Sequence, residues 1–172
     1  MTRYMKEELG CRVTAVEISA DMAAKAEPFT EKMIVGNAEH QDVWEQIGGG
    51  YHCAVFGDVL EHLADPWEVL RRTELALAPG GMVLASIPNV VYYKNRKQVL
   101  LGRFDYTDYG ILDNTHLRFF TKKSILEMFE SCGYEVNSLT PAFRRRTDRW
   151  LYGLCPSAFS YQYVVCATPS RT

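Results

Sequence analysis

Two short stretches of this chain hold side chains suited to acid–base chemistry. Asp58, Glu61 and His62 lie in FGDVLEHLADP, and His116 lies in DNTHLRFFT. The first three are spaced i, i+3 and i+4, so a helical turn would set them on one side. Imidazole titrates near neutrality, which suits it to taking a proton from a hydroxyl. His116 is read as the base or as the group that positions an acceptor, against a structural role pinning its loop through Asp113 or Thr115. His62 and Asp58 are the other catalytic candidates. No metal is expected, because a capped and hydrogen-bonded helix start accounts for the same residues. His40 and His52 read as ordinary loop and strand-edge histidines.

The elements that must position these groups begin with Tyr51 to Asn89, which reads as strand, loop, helix, turn, strand. Cys53 to Phe56 is a short apolar run, as for a parallel strand buried on both faces. Leu63, Trp67, Leu70 and Leu77 recur at spacings that make one helical face. Asp65-Pro66 starts that helix and Pro79-Gly80-Gly81 ends it before a second apolar run, Met82 to Ile87. Such a βαβ unit is right-handed and its strands parallel, so polar residues after each strand gather at one carboxyl edge. Asp58, Glu61, His62 and Asn89 are thereby candidates for one site.

Upstream, Met1 to Leu9 reads as the tail of a helix. Arg12 to Ile18 reads as a strand ending at Glu17, and Ser19 caps a helix over Ala20 to Glu27. Met33 to Val35 is a short strand running into the loop Gly36 to Glu39; Asp42 to Ile47 forms helical turns, and Gly48 to Gly50 is a flexible connection. Downstream, Val90 to Leu101 can be helical. Gly102 to Phe120 is aromatic, polar and aperiodic, the composition of a loop that covers a site. Thr121 caps a helix that presents Ile125, Phe129 and Cys132 on one face and stops at Gly133. Tyr134 to Thr140 and Tyr161 to Ala167 are strands without a crossover helix between them, hence antiparallel neighbours at a sheet edge.

A chain of 172 residues, 47% hydrophobic, 23% charged and with a net charge of −2 is long enough for a proper core and is not a bulk nucleic-acid binder. It has no apolar run of about 18 residues and no signal-peptide core at its start, so a cytoplasmic location is expected. The 5 cysteines, without a CxxC pair, read as reduced packing residues.

Glu17 at a strand end, the GNAE loop, FGDVLEHLADP, LAPGGMVLASIPN and HLRFFTKKSILEMFESCGYEV, in that order, resemble the class I S-adenosylmethionine-dependent methyltransferases, in particular a small-molecule and sugar-type branch. The resemblance covers nearly the whole chain. It implies an α/β fold: a Rossmann-like, doubly wound, mostly parallel sheet with an antiparallel C-terminal edge. It also implies S-adenosylmethionine as cofactor, with Glu17 holding the ribose hydroxyls, Ile18 against the adenine, Asn37 on the adenine amino group and Ala38 offering its backbone. Asp58, followed by Val59 and Leu60, would lie near the methionine part. The family's first strand and glycine-rich GxGxG loop have no counterpart in this sequence, so an N-terminally truncated domain is expected over 1–172, with a covering loop at 90–120 and an insertion at 141–160.

The reaction implied is methyl transfer to a small molecule, a hydroxyl of a sugar or glycan precursor. The alternative is a truncated, catalytically silent domain that pairs with another chain. A nicotinamide-dependent reductase built on Tyr93 and Lys97 lacks a glycine-rich loop. Arg144, Arg145, Arg146 and Arg149 with Trp150, Leu151, Tyr152 and Leu154 read as a solvated insertion packed by its aromatics, or else as a site for a phosphate or an anionic membrane surface. The implied partners are a small-molecule substrate, a sugar or a nucleotide- or lipid-linked sugar, with weak membrane-surface contact and a homo-oligomer as further options, and no nucleic acid.

Overall fold

The computed structural model describes residues 1–170. They divide into two compact units, the first Met1–Gly50 and the second from Tyr51 onward.

The first unit contains α1 (Thr2–Glu7), β1 (Thr14–Glu17), α2 (Ala20–Ala26), β2 (Lys32–Val35) and α3 (Gln41–Ile47). The strands β1 and β2 are parallel, with Glu17 opposite Val35 at their carboxyl ends. Ser19 caps α2 by accepting the Met22 N–H, as its position before the helix predicts. Pro28 ends the α-helical pattern, and Glu27–Phe29 tightens into a 3-10 turn. Val13, Ala23, Ile34 and Val43 make the small core. Gly36 is required just after β2, since a Cβ there would come within 2.7 Å of the Val43 side chain.

The second unit contains β3 (Tyr51–Gly57), α4 (Pro66–Ala76), β4 (Leu77–Pro88), α5 (Tyr93–Leu100), α6 (Lys122–Ser131), β5 (Tyr134–Ala142), α7 (Arg146–Leu151), α8 (Pro156–Phe159) and β6 (Gln162–Pro169). Its sheet runs β3-β4-β6-β5. The β3–β4 pair is parallel, as the βαβ reading requires, while β6 is antiparallel to both β4 and β5. This is a Rossmann-like α/β arrangement closed by an antiparallel C-terminal edge. Thr121 and Ser124 form a reciprocal capping box at the start of α6, and Ile125, Met128 and Phe129 bury its apolar face. No helix among the described residues is long and apolar enough to cross a membrane.

Four local expectations change. β3 is not buried on both faces: His52 and Cys53 are exposed and the rest of the strand is half-buried. The buried stripe of α4 is Pro66, Val69, Leu70, Thr73 and Ala76, whereas Leu63 lies before the helix and Leu77 opens β4. The helix turns straight into the strand, with Ala78 to Gly81 looped out between the Tyr51–Leu77 and Cys53–Met82 pairs. Cys11 and Cys53 are exposed rather than packed into the core; Cys132 alone of the five is buried. In the insertion, Trp150 is 80% and Leu154 78% exposed, so these two do not pack it.

Candidate active site

The turn after β3 is where the second unit concentrates its chemistry. Asp58 takes a positive φ of 55°, uncommon outside glycine. Its N–H donates to the Ser86 hydroxyl at 3.0 Å and its carboxylate accepts from the Gln162 amide at 2.7 Å, contacts that hold the reversal in place. The chain then makes a 3-10 turn over Leu60–His62 with no side-chain cap. The capped helix expected over Asp58 to His62 is therefore absent, and the tighter turn sends Leu60 and Glu61 inward while Asp58 stays at the surface. Leu60 is fully buried, and Val59 is half-buried beside it.

The covering segment is fastened onto this turn. The Glu61 carbonyl accepts the N–H groups of Leu117 at 2.8 Å and Arg118 at 3.0 Å. The Arg118 guanidinium donates to the Ala64 carbonyl at 3.0 Å and lies 5.6 Å from the Trp67 ring centre. Asp113 accepts from the Thr115 N–H and hydroxyl, so the Thr115 oxygen is left to accept. His62 Nδ1 stands 3.1 Å from that hydroxyl and 3.2 Å from the Thr115 carbonyl. A carbonyl only accepts, so the His62 proton sits on Nδ1 and its Nε2 carries a lone pair. His116 Nδ1 likewise donates to the Ile111 carbonyl at 3.0 Å, which leaves Nε2 as an acceptor.

Thus His62 and His116 meet with ring centres 4.6 Å apart, edge to face, and His116 Nε2 lies 4.0 Å from a Glu61 carboxylate oxygen. Glu61 is 1% exposed, and neither of its carboxylate oxygens has a hydrogen-bond partner. Burial pushes its pKa up to about 8, opposed in part by the pull of its own backbone N–H and helped slightly by the Asp58 charge. Burial also lowers the His116 pKa, partly offset by the bond to Ile111. Burial thus disfavours the charged form of both the Glu61 carboxyl and the His116 imidazole.

The loop that supplies Ile111 also walls a cavity of about 520 Å³, where Tyr92, Tyr106, Tyr109 and Tyr161 meet Lys94 and Arg144. Arg144 lies 5.5 Å from the Tyr161 ring centre. Phe104 and Phe119 instead pack edge to face on each other, and Phe120 is buried. Asn89 leaves the candidate list: fully buried, it donates to the Ser157 and Ser160 carbonyls and so anchors the segment around α8. One buried pair behind the cavity wall residue Tyr92 had no signal in the sequence. The buried Tyr92 hydroxyl donates to Asp148 at 2.6 Å, across 56 positions of chain.

In the first unit, the parallel register sets Glu17 at a carboxyl edge with the Gly36–Glu39 loop beyond its partner strand. The Glu17 carboxylate accepts the Ser19 N–H at 2.9 Å, which orients it at the strand end. Ile18 next to it is 70% exposed, an apolar face on open display. The Asn37 side chain accepts the Glu39 N–H, and the Ala38 carbonyl accepts the Trp44 indole N–H at 2.7 Å. The Glu17 carboxylate and the exposed Ile18 side chain thus put a hydrogen-bond acceptor and an apolar face side by side at the end of β1.

A family model described as a methyltransferase domain matches residues 1–139. A S-adenosylmethionine-dependent methyltransferase from Thermotoga maritima superposes with a TM-score of 0.66 at 17% identity, over 97% of this chain and 77% of that one. The CcbJ methyltransferase of Streptomyces caelestis gives 0.65 at 18% identity, over 95% and 77%. The magnesium protoporphyrin IX methyltransferase of Synechocystis, solved with S-adenosylhomocysteine bound, gives 0.63 at 14% identity, over 95% and 66%. No curated protein matches the chain. At such identities the structural likenesses establish the fold, and the family match over residues 1–139 carries the rest: the chain belongs to the methyltransferase-domain family and is an enzyme that uses S-adenosylmethionine.

Proposed function

We propose that this enzyme methylates a hydroxyl of a sugar or glycan precursor, and that the hydroxyl loses its proton at the cluster of Glu61, His62 and His116. The observation that carries this reading is the convergence of two imidazoles, each with its Nδ1–H held by the chain, on one buried carboxyl. The sulfonium of the cofactor supplies an electrophilic methyl, and the transfer is an in-line displacement. The protein has to align donor and acceptor and remove one proton. His116 acts at the acceptor oxygen as base or positioning group, with His62 beside it.

In the first unit Glu17 takes the ribose hydroxyls, Ile18 and the Ala38 backbone flank the adenine, and Asn37 meets its amino group. In the second unit Asp58 and the backbone of Val59 and Leu60 serve the methionine part. The tyrosine-lined cavity supports a hydroxylated acceptor, because phenol rings offer both flat apolar faces and hydrogen bonds. Lys94 and Arg144 in the same wall suit a phosphate on that acceptor, as in a nucleotide- or lipid-linked sugar. Arg146 and Arg149, with the outward Trp150 and Leu154, suit weak contact with an anionic membrane surface.

The decisive comparison is His116→Gln against the parent enzyme on a panel of sugar phosphates. The variant should lose on the order of 10²-fold or more in kcat, with S-adenosylmethionine affinity within about twofold of the parent. An unchanged kcat on a methylated acceptor would remove His116 from the chemistry.

A further inference from the structure

We infer that Glu61, His62 and His116 form a binding site for a divalent transition-metal ion of the zinc class. Each offers one donor atom, and these atoms lie within 4.8 Å of one another. Such clusters are common on protein surfaces and mean little there. Here the carboxylate is 1% exposed with both oxygens unpartnered, an arrangement that costs free energy unless something is meant to meet them.

The surroundings of the histidines match what a metal requires. A ligating imidazole presents a lone pair on one nitrogen while the other N–H is held by a carbonyl or an equivalent acceptor, which fixes both tautomer and ring plane. His116 has the Ile111 carbonyl in that place, and His62 has Thr115, itself oriented by Asp113. The three donors come from two segments that are bolted together by the Glu61 carbonyl and by Arg118, so the cluster belongs to a fixed part of the fold.

The donor set selects the ion. Two imidazoles and one carboxylate suit zinc and its first-row neighbours, whereas magnesium and calcium require a shell of oxygens. Ligands at about 2.0–2.1 Å from zinc lie roughly 3.3 Å apart, so small side-chain rotations close the set from its 4.0 Å Glu61–His116 approach. His62 is the member most open to solvent. An acceptor oxygen reaching a bound ion from that side would have its pKa lowered by the ion, and His116 would then serve as a ligand and not as the base. That last step alone rests on the methyl-transfer reading; occupancy of the site does not.

The test is equilibrium dialysis of the full chain against Zn²⁺ and Co²⁺ without cofactor or acceptor, in a Cys11→Ser, Cys53→Ser background that removes the exposed thiols. One equivalent of metal is expected, with visible Co²⁺ bands, and a thermal midpoint raised by about 5–10 °C at a hundredfold excess over Kd. Glu61→Gln and His62→Gln should each lower affinity at least tenfold while keeping the metal-free circular dichroism spectrum and midpoint. Absence of saturable binding, or binding unchanged in both folded variants, overturns the assignment. Because dialysis needs no turnover, a negative result here is distinct from failure of the methyl-transfer reading, which the His116→Gln kinetics address.

Discussion

A fold seldom tolerates a carboxyl that is shut away from water and bonded to nothing, and Glu61 is in that position. Asp148 shows the ordinary solution: it is buried too, but it accepts the Tyr92 hydroxyl and the Arg145 N–H. Burial, with the Asp148 bond second, raises the Tyr92 pKa above its usual value, so the phenol remains a donor to Asp148 well past neutral pH. Tyr92→Phe deletes that donor and leaves the carboxylate under-bonded. We expect a cost of about 1.5–3 kcal/mol and a fall of about 5 °C in the thermal midpoint, read by calorimetry. An unchanged midpoint would mean that water replaces the phenol freely. The residue types at 58, 61, 62 and 116 were legible as chemistry from sequence. The Tyr92–Asp148 pair was not, because neither residue carries a local pattern that points to the other.

At the scale of elements, the signals that held were those resolved within a few residues. Thr121 caps α6 and Ser19 caps α2 through hydrogen bonds that span three positions, so the local sequence suffices. The i, i+3, i+4 spacing at Asp58 to His62 would share a face only in an α-helical turn, and the chain instead makes a reversal at Asp58 followed by 3-10 geometry, which depends on the Ser86 and Gln162 contacts from distant strands. The stripe of α4 was misassigned for a similar reason: Leu77 already belongs to β4. α7 presents a basic and aromatic face, since Arg146, Arg149 and Trp150 are all exposed. Co-sedimentation with phosphatidylserine-containing vesicles should therefore pellet part of the protein at low salt. Arg146→Ala with Arg149→Ala should weaken partitioning by about tenfold or more, at about 1 kcal/mol per basic residue near the surface. Equal pelleting of parent and double variant would rule out this face as the contact.

At the scale of the whole molecule, the cation donors all lie in Tyr51–Thr172, while the ribose acceptor Glu17 lies in Met1–Gly50. A chain of residues 51–172 should thus bind Zn²⁺ with the stoichiometry of the full chain, while its affinity for S-adenosylmethionine falls by at least tenfold, both read by calorimetric titration. Retained cofactor affinity would refute the role given to Glu17. The sequence by itself determined the order of strands and helices, the βαβ unit, the antiparallel final strands, and the family, because periodicity, caps and motifs are local or strictly ordered along the chain. Only the tertiary structure decided that Glu61 is buried without a partner, that His62 and His116 face each other, and that Asn89 serves packing instead of the site. Those outcomes depend on contacts between segments some 50 to 70 residues apart, whose closure is set by the packing of the entire sheet and not by any pattern readable along one stretch.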